Sequence, residues 1–167
     1  METWGAALFG DPCRECGFDW SVASEQAIGW VSKMPAEFAA VGAGSSGREA
    51  GSGWSVAEYI SHVADNLRQW SERVQAARLD GQLEVAGYDP DELAVARGYP
   101  TIPLAAALWS LELSAQAWVA VLGAAHQEGI ELRHAARGLQ RASDIARNNA
   151  HDAYHHLWDV RRILGIG

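Results

Sequence analysis

The chain has 167 residues, with 13 Lys or Arg against 21 Asp or Glu and a formal net charge of −8. This length suits one domain, residues 1–167, in which residues 1–20 form an N-terminal segment containing a CxxC motif. The acidic balance disfavours binding to nucleic acid or to an acidic membrane surface, and two cysteines are too few for a disulfide-stapled secreted scaffold.

The N-terminal stretch and the most apolar stretch of the chain indicate whether the protein carries a signal peptide or a membrane span. The N-terminal stretch METWGAALFGDPCREC has no basic start and too short an apolar run for a signal peptide. The longest apolar stretch, residues 102–125, carries Glu112 at its middle, and a central acidic residue costs roughly 2.5–3.5 kcal/mol in a bilayer. A buried bundle helix explains this stretch better than a membrane span. We therefore predict a cytoplasmic protein.

Apolar residues at intervals of three or four positions predict four long helices, and no segment shows the sustained alternation of a strand. Pro35 predicts a kink or a restart within the first helix. A linker rich in Gly and Ser, residues 42–53, follows that helix. In chain order, the helices are expected at about residues 22–41, 55–79, 104–128 and 143–164.

Capping signals and the connection between helices two and three define the architecture. Ser55 and Glu58 have capping-box spacing, so Ser55 is expected to cap the second helix, and Ser143 the fourth. The connection contains several prolines and glycines, which favours a long crossover, and Asp91 within it is expected to start a helical turn. Four helices of similar length with one long crossover predict an all-α four-helix bundle.

The last helix contains the stretch ARNNAHDAYHHLWDVRR, in which His151 and His155 lie one helical turn apart. Such a pair can hold one cation, although it also occurs on solvated helix faces, and it lacks the glutamate of a HExxH metalloprotease. His62, near the core-facing edge of the second helix, is the candidate third ligand, because bundle metal sites use inward side chains of facing helices. His156 points about 100° away from His155 and is expected at the surface or behind the ligands.

Four residues near these histidines are candidates for a supporting role. Asn66 lies one turn after His62 and Asp65 at i+3, so either can orient an imidazole or a bound ligand. Arg147 and Trp158 extend the face of the HxxxH pair in both directions, and Arg147 can pair with a carboxylate. The alternative interpretations are a core position for Trp158 and a solvated position for Arg147.

The CxxC motif, Cys13 and Cys16, is least explained by a bundle fold. Zinc binding would need two further ligands, and no second Cys/His pair lies at zinc-ribbon spacing. A redox pair of the thioredoxin type would need a strand-to-helix context that is missing here. The motif is therefore expected to cover the mouth of the site or to form an oxidisable dithiol. An N-terminal turn with two small, partly buried residues is the alternative.

Two stretches resemble the DinB-like superfamily. WSVAEYISHVADNL is similar to its second helix, and NNAHDAYHHLWDVRRIL is similar to its last helix. The resemblance implies a four-helix bundle with a long connection between helices two and three. It also implies metal ligands at His62, His151 and His155, and a bound zinc or nickel ion.

The resemblance also implies a chemistry. Several DinB-like proteins use a low-molecular-weight thiol such as mycothiol or bacillithiol, and maleylpyruvate isomerases of this type are among them. A divalent cation lowers the pKa of a coordinated thiol, which then attacks a small electrophilic substrate. A metal-dependent hydrolase on the same site is the first alternative, and a non-catalytic, stress-associated metal-binding protein is the second. A homodimer is plausible for such a bundle.

Overall fold

The computed structural model describes residues 4–42, 47–48, 53–81 and 83–166, and helices account for most of them. Most of the predicted Gly/Ser linker lies outside the described residues. The elements follow in chain order: α1 (Ala6–Phe9), α2 (Ser24–Val31), α3 (Met34–Gly42), α4 (Val56–Asp80), β1 (Glu84–Val85), α5 (Pro90–Arg97), a 3₁₀ turn (Tyr99–Thr101), α6 (Leu104–Glu128), β2 (Glu131–His134), β3 (Gly138–Arg141) and α7 (Ala142–Ile163).

The first bundle helix is broken, as Pro35 predicts. Helix α2 ends at Val31, and α3 begins at Met34 with Pro35 in its first turn. Proline is tolerated at the start of a helix because the N–H that it lacks would have no partner there. Helices α2 and α3 therefore act as two halves of one bundle element.

The two predicted caps have different outcomes. The Ser55–Glu58 capping box is present: the Ser55 N–H donates to Glu58 Oε2 at 2.7 Å, and the Glu58 N–H donates to Ser55 Oγ at 3.3 Å. The Ser143 cap is wrong. Strand β3 runs directly into α7, so the helix begins earlier, and the N–H of its N-cap Arg141 donates to Asp144 at 3.0 Å.

The connection between α4 and α6 is long and carries structure of its own. Asp89, rather than Asp91, caps α5, because its Oδ1 accepts the N–H groups of Asp91 and Glu92 at 2.8 and 3.3 Å. The buried Asp65 on α4 accepts a hydrogen bond from Tyr99 at 2.9 Å and pairs with Arg97 at 3.0 Å. These contacts fix the connection on α4.

A small sheet, which the hydrophobic pattern does not predict, lies beside the bundle. Its strand order is β1-β2-β3, with β1 parallel to β2 and β2 antiparallel to β3. Strands of two to four residues are too short to show alternation in the sequence. The β2–β3 hairpin is the turn that introduces α7.

The helices form the predicted four-helix bundle, in which α2 and α3 together take one position. Helix α4 packs most extensively against α6, and α7 packs against α2, α3, α4 and α6. Burial of apolar surface between these faces supplies the main driving force for the fold. The largest fully buried side chains include Trp118, Phe38, Ile60, Leu67, Leu111, Leu122 and Ile145.

Helix α6 is long and apolar enough to cross a membrane, judged by length and composition alone. Its stripe of Leu111, Trp118 and Leu122 is buried in the bundle core, while Trp109 and Leu113 are exposed. One stripe of the helix thus packs in the bundle, as expected of a bundle helix, and 28% of its most apolar 18-residue stretch is buried.

Candidate functional site

Two groups of metal-ligating side chains lie side by side on α7. The pairs 151/155 and 152/156 each have i, i+4 spacing, and one residue of offset rotates the second pair by about 100° around the helix. We name the groups by their surroundings: the pocket cluster consists of His62, Asp152 and His156, and the N-terminal cluster consists of Cys13, Cys16, His151 and His155.

The pocket cluster brings α4 and α7 together through their polar side chains. His62 Nε2 lies 3.4 Å from Asp152 Oδ1, and His156 Nε2 lies 3.7 Å from the same oxygen. The two imidazole rings meet edge to face, with centroids 4.8 Å apart. One ligand atom from each side chain lies within 4.8 Å of the other two. Two imidazoles and one carboxylate are a donor set that suits a divalent cation such as zinc or nickel.

Further hydrogen bonds orient two of these three side chains. The Asn66 amide donates to Asp152 Oδ2 at 2.8 Å, and Tyr88 donates to Asn66 Oδ1 at 3.4 Å. Asp159 Oδ2 lies 3.0 Å from His156 Nδ1, which leaves Nε2 facing the cluster. A carboxylate behind an imidazole is the usual arrangement at metal-ligating histidines, because it fixes the ring orientation and raises ligand basicity.

The charges in this network favour an ionised carboxylate. Burial opposes ionisation of Asp152, but the nearby His62 and His156 and the Asn66 hydrogen bond outweigh it, and the pKa of Asp152 lies below its ordinary value. Burial also acts to lower the pKa of His156, but the hydrogen bond to Asp159 and the charge of Asp152 raise it above its ordinary value. Asp152 is therefore a negative donor at neutral pH.

The cluster opens into a cavity of about 390 Å³. Two half-buried guanidinium groups, Arg73 and Arg137, line it, and burial lowers the pKa of both. Within the described ranges, neither arginine is paired with a carboxylate. Desolvated guanidinium groups of this kind suit a carboxylate or phosphate. The complete lining is His62, Asn66, Trp70, Arg73, Gly87, Tyr88, Pro90, His134, Ala136, Arg137, Asp152 and His156.

Aromatic rings also line the cavity. His134, at the end of β2, stacks on Trp70 with centroids 6.0 Å apart, and the Arg73 guanidinium lies over the Trp70 ring at 5.2 Å. His134 Nδ1 accepts the N–H groups of Ala136 and Arg137, so the proton of the neutral ring is on Nε2. Burial and the two arginines lower the pKa of His134. This ring is consequently a neutral donor at pH 7.

A solved structure has the same overall fold. YfiT from Bacillus subtilis, described as a probable metal-dependent hydrolase with an unusual four-helix bundle topology, is 15% identical in sequence. The match covers 86% of this chain and 89% of that chain, with a TM-score of 0.71. This likeness shows that the chain shares the four-helix bundle fold of that structure. A scan of protein-family models and a search of curated proteins found no match.

On this fold, the expected triad of His62, His151 and His155 is divided between the two clusters. His156, expected outside the site, joins His62, whereas His151 and His155 face the cysteines. The physical reason is helix rotation: α4 packs against the face of α7 that carries residues 152 and 156. The residues that meet His62 are therefore shifted by one position along α7 from the expected ones.

The residues predicted to support the metal site also lie in different parts of the molecule. Asn66 lines the cavity and holds Asp152. Asp65 does not orient His62 as expected, since its carboxylate binds Arg68 and the α4–α6 connection. Arg147 donates to the Val22 carbonyl at 3.0 Å and thereby binds the residues just before α2.

Trp158 likewise lies outside the cavity lining. Its ring contacts His155 at 5.6 Å between centroids, and the Arg162 guanidinium lies over it at 5.3 Å. Arg147 and Trp158 extend the face of the HxxxH pair, and that pair lies in the N-terminal cluster. Neither residue therefore lines the cavity.

Sequence reasoning missed Asp152, Tyr88, Arg73, Arg137 and His134. Asp152 had a usable signal, because Asp152 and His156 also have i, i+4 spacing. The others lie on the connection or the β2–β3 hairpin, or on a helix face whose partner is not evident from the sequence. Only the packing of these segments beside α4 brings them to the cavity.

Proposed function

We propose that this chain is a metal-dependent enzyme that activates a low-molecular-weight thiol of the mycothiol or bacillithiol type. The thiol then attacks a small, anionic electrophile. The observation that carries this proposal is the convergence of His62, Asp152 and His156 at a cavity whose two arginines, Arg73 and Arg137, have no carboxylate partner among the described residues.

Three protein ligands leave positions open for a small molecule, as in catalytic rather than structural sites. A divalent cation held by them would lower the pKa of a coordinated thiol and so supply a nucleophile near neutral pH. The carboxylate of Asp152 contributes negative charge to the ligand set. Asn66 and Asp159 keep Asp152 and His156 in their orientations, so that little reorganisation is needed when the site is loaded.

The cavity walls supply substrate binding. Arg73 and Arg137 offer charge and hydrogen-bond donors to an anionic group, and the Nε2 proton of His134 is available to a carbonyl or carboxylate oxygen. Tyr88 remains protonated, because burial and Asp152 raise its pKa to about 12. These groups orient the electrophile beside the nucleophile, which lowers the entropic part of the barrier.

A metal-dependent hydrolase is the second candidate. The structural neighbour YfiT, described as a probable metal-dependent hydrolase, supports it. The same three ligands would serve, and the activated nucleophile would be water instead of a thiol. The cavity walls would bind the scissile substrate in the same manner.

One experiment separates the two candidates. The zinc-loaded or nickel-loaded protein is incubated with mycothiol, with bacillithiol or without thiol, in the presence of a panel of small carboxylate-bearing electrophiles and esters. Mass spectrometry then detects conjugates, isomers and hydrolysis products. Acceleration that depends on thiol supports the first candidate, and hydrolysis without thiol supports the second. Product formation equal to a metal-free control in every arm contradicts both.

The variants Asp152→Ala and His126→Ala test the site. Asp152→Ala removes the charged ligand and is expected to abolish the activity. His126, which contacts Glu25 at 2.9 Å, lies at the end of α6 and outside the cavity lining. His126→Ala is therefore the control that should retain activity.

A further inference from the structure

The N-terminal CxxC motif forms a tight turn that directs both sulfurs to one side. The Gly17 N–H donates to the Cys13 carbonyl at 2.9 Å, and the Cys13 N–H donates to the Phe18 carbonyl at 2.8 Å. Gly17 has φ of 75°, in the left-handed region that glycine favours. This local geometry follows from the sequence CRECG.

The partners of the two sulfurs come from the far end of the chain. Cys13 Sγ lies 3.8 Å from His155 Nδ1, across 142 positions of sequence. One ligand atom from each of Cys13, Cys16, His151 and His155 lies within 4.8 Å of all the others. A tetrahedral zinc ion with ordinary bond lengths needs its ligand atoms about 3.3–3.8 Å apart. The cluster is therefore near the required size before any adjustment.

The surroundings of His151 point to a missing partner. His151 is only 4% exposed, and its Nε2 is buried without a hydrogen-bond partner in the described part of the chain. The rings of Phe9 and Trp20 lie 4.5 Å from its centroid, and Phe18 lies at 5.3 Å. A buried polar nitrogen among aromatic rings is costly unless it binds something. Zinc ligation would satisfy it.

His155 has a carboxylate on one ring nitrogen, as metal-ligating histidines commonly do. Its Nδ1 faces Cys13, and its Nε2 lies 3.4 Å from the Glu15 carboxylate. The carboxylate holds the proton on Nε2 and leaves the lone pair of Nδ1 toward the sulfurs. Glu15 stands between the two cysteines in sequence, so the turn provides this contact together with the thiolates.

We propose that Cys13, Cys16, His151 and His155 bind one zinc ion, separate from the pocket cluster, as a structural site that fixes the N-terminal segment on α7. Two thiolates and two imidazoles complete a tetrahedron, so no position is open for substrate. The zinc ion links the two chain ends and fixes the rotation of α7, which carries Asp152 and His156 on its neighbouring face. This site does not depend on the proposed function of the pocket.

Cobalt substitution tests the proposal directly. The metal-free protein is titrated with Co²⁺ and followed by absorption spectroscopy, with zinc content measured in parallel. We expect two equivalents of metal per chain, one of which gives thiolate-to-cobalt charge-transfer bands and the intense d–d bands of tetrahedral cobalt. Cys13→Ser/Cys16→Ser should lose these bands and one equivalent. Asp152→Ala should keep the bands and lose the other equivalent.

A second measurement covers the case in which the cysteine variant does not fold. X-ray absorption of the wild-type zinc protein should show Zn–S distances of about 2.3 Å beside Zn–N distances of about 2.0–2.1 Å. The proposal is overturned by a folded wild-type protein without sulfur-derived cobalt bands or Zn–S scattering. A Cys13–Cys16 disulfide in protein kept under reducing conditions would overturn it as well.

Discussion

The pocket cluster and the N-terminal cluster lie on adjacent faces of one helix, yet they differ in donors and surroundings. The pocket cluster has three oxygen and nitrogen donors and opens into a cavity with two arginines. The N-terminal cluster adds two sulfurs, and aromatic rings pack against its buried His151, while Cys16 and His155 are half-buried. An open, charged site suits chemistry on a small molecule, and a closed, apolar site suits a structural ion.

The helix alone therefore does not determine the role of its histidines. Helix α7 presents the same i, i+4 spacing twice, one residue apart. Helix α4 supplies an imidazole and a cavity to one pair, and the N-terminal segment supplies thiols and aromatic rings to the other. The packing partner therefore decides the chemistry.

The largest effect is expected when each of two neighbouring histidines, His155 and His156, is replaced separately by alanine. His156→Ala should abolish activity and remove the pocket metal while retaining cobalt–thiolate absorption. His155→Ala should weaken and shift that absorption and lower the melting temperature, because the N-terminal cluster loses one of its two ligands on α7. Activity, metal content and thermal unfolding, measured in parallel, check both halves. Activity that survives in His156→Ala and is lost in a folded His155→Ala would restore the original triad.

A smaller effect is expected at Asn66, which only orients a ligand. Asn66→Ala should weaken metal binding at the pocket by roughly 10–100-fold and leave the N-terminal cluster unchanged, because the amide contacts Asp152 alone of the proposed ligands. Competition titration with a chromophoric chelator measures this. Asn148→Ala is a matched control, since Asn148 bonds to the Asp144 carbonyl and Gln140 instead. Equal affinity in both variants would contradict the role of Asn66.

A substitution on a third face of α7 should lower the stability of the fold without changing metal binding at either cluster. The buried Trp118 indole donates to Asn149 Oδ1 at 2.8 Å, which joins α6 to α7. Asn149→Ala leaves this donor unsatisfied, and we expect a loss of about 1–3 kcal/mol in the free energy of unfolding. For a chain of this size the melting temperature would fall by about 2–12 °C. Calorimetry of the metal-free protein measures the change in melting temperature. We also expect the variant to bind the same number of metal ions per chain as wild type.

The smallest effect is expected from the pH dependence of stability that Glu58 contributes at the start of α4. This helix carries His62 but no residue of the N-terminal cluster. Burial acts to raise the pKa of Glu58, but hydrogen bonds from Ser55 and the charge of Arg48, 2.7 Å away, lower it below its ordinary value. The stabilisation is present above the ordinary carboxyl pKa and is lost as pH falls toward the lowered one.

Glu58→Gln tests this pH dependence in the metal-free protein. The variant should be less stable than wild type at neutral pH by under about 1 kcal/mol, because the partner Arg48 is half-exposed. The two proteins should converge as the pH falls below the ordinary carboxyl range. Denaturant titrations at several pH values measure the difference. A gap that widens in acid would mean that Glu58 does not act through its charge.

Much of the fold follows from local signals in the sequence. The helix periodicity, the break at Pro35 and the Ser55–Glu58 cap each depend on residues within one or two turns. The short strands and the start of α7 were not predictable, because strand β3 passes into the helix without a break in the pattern. At the site, His62 and Asn66 were identified, whereas the residues of the connection and hairpin carried no signal of their own.

The helical spacing of the histidines on α7 was predictable, because it depends on backbone geometry over a few residues. Which donors share a site depends on how distant segments pack. His62 and Asp152 are 90 positions apart, and Cys13 and His155 are 142 apart. Since each residue turns a helix by about 100°, the rotation of α7 in the bundle determines which histidine faces which partner.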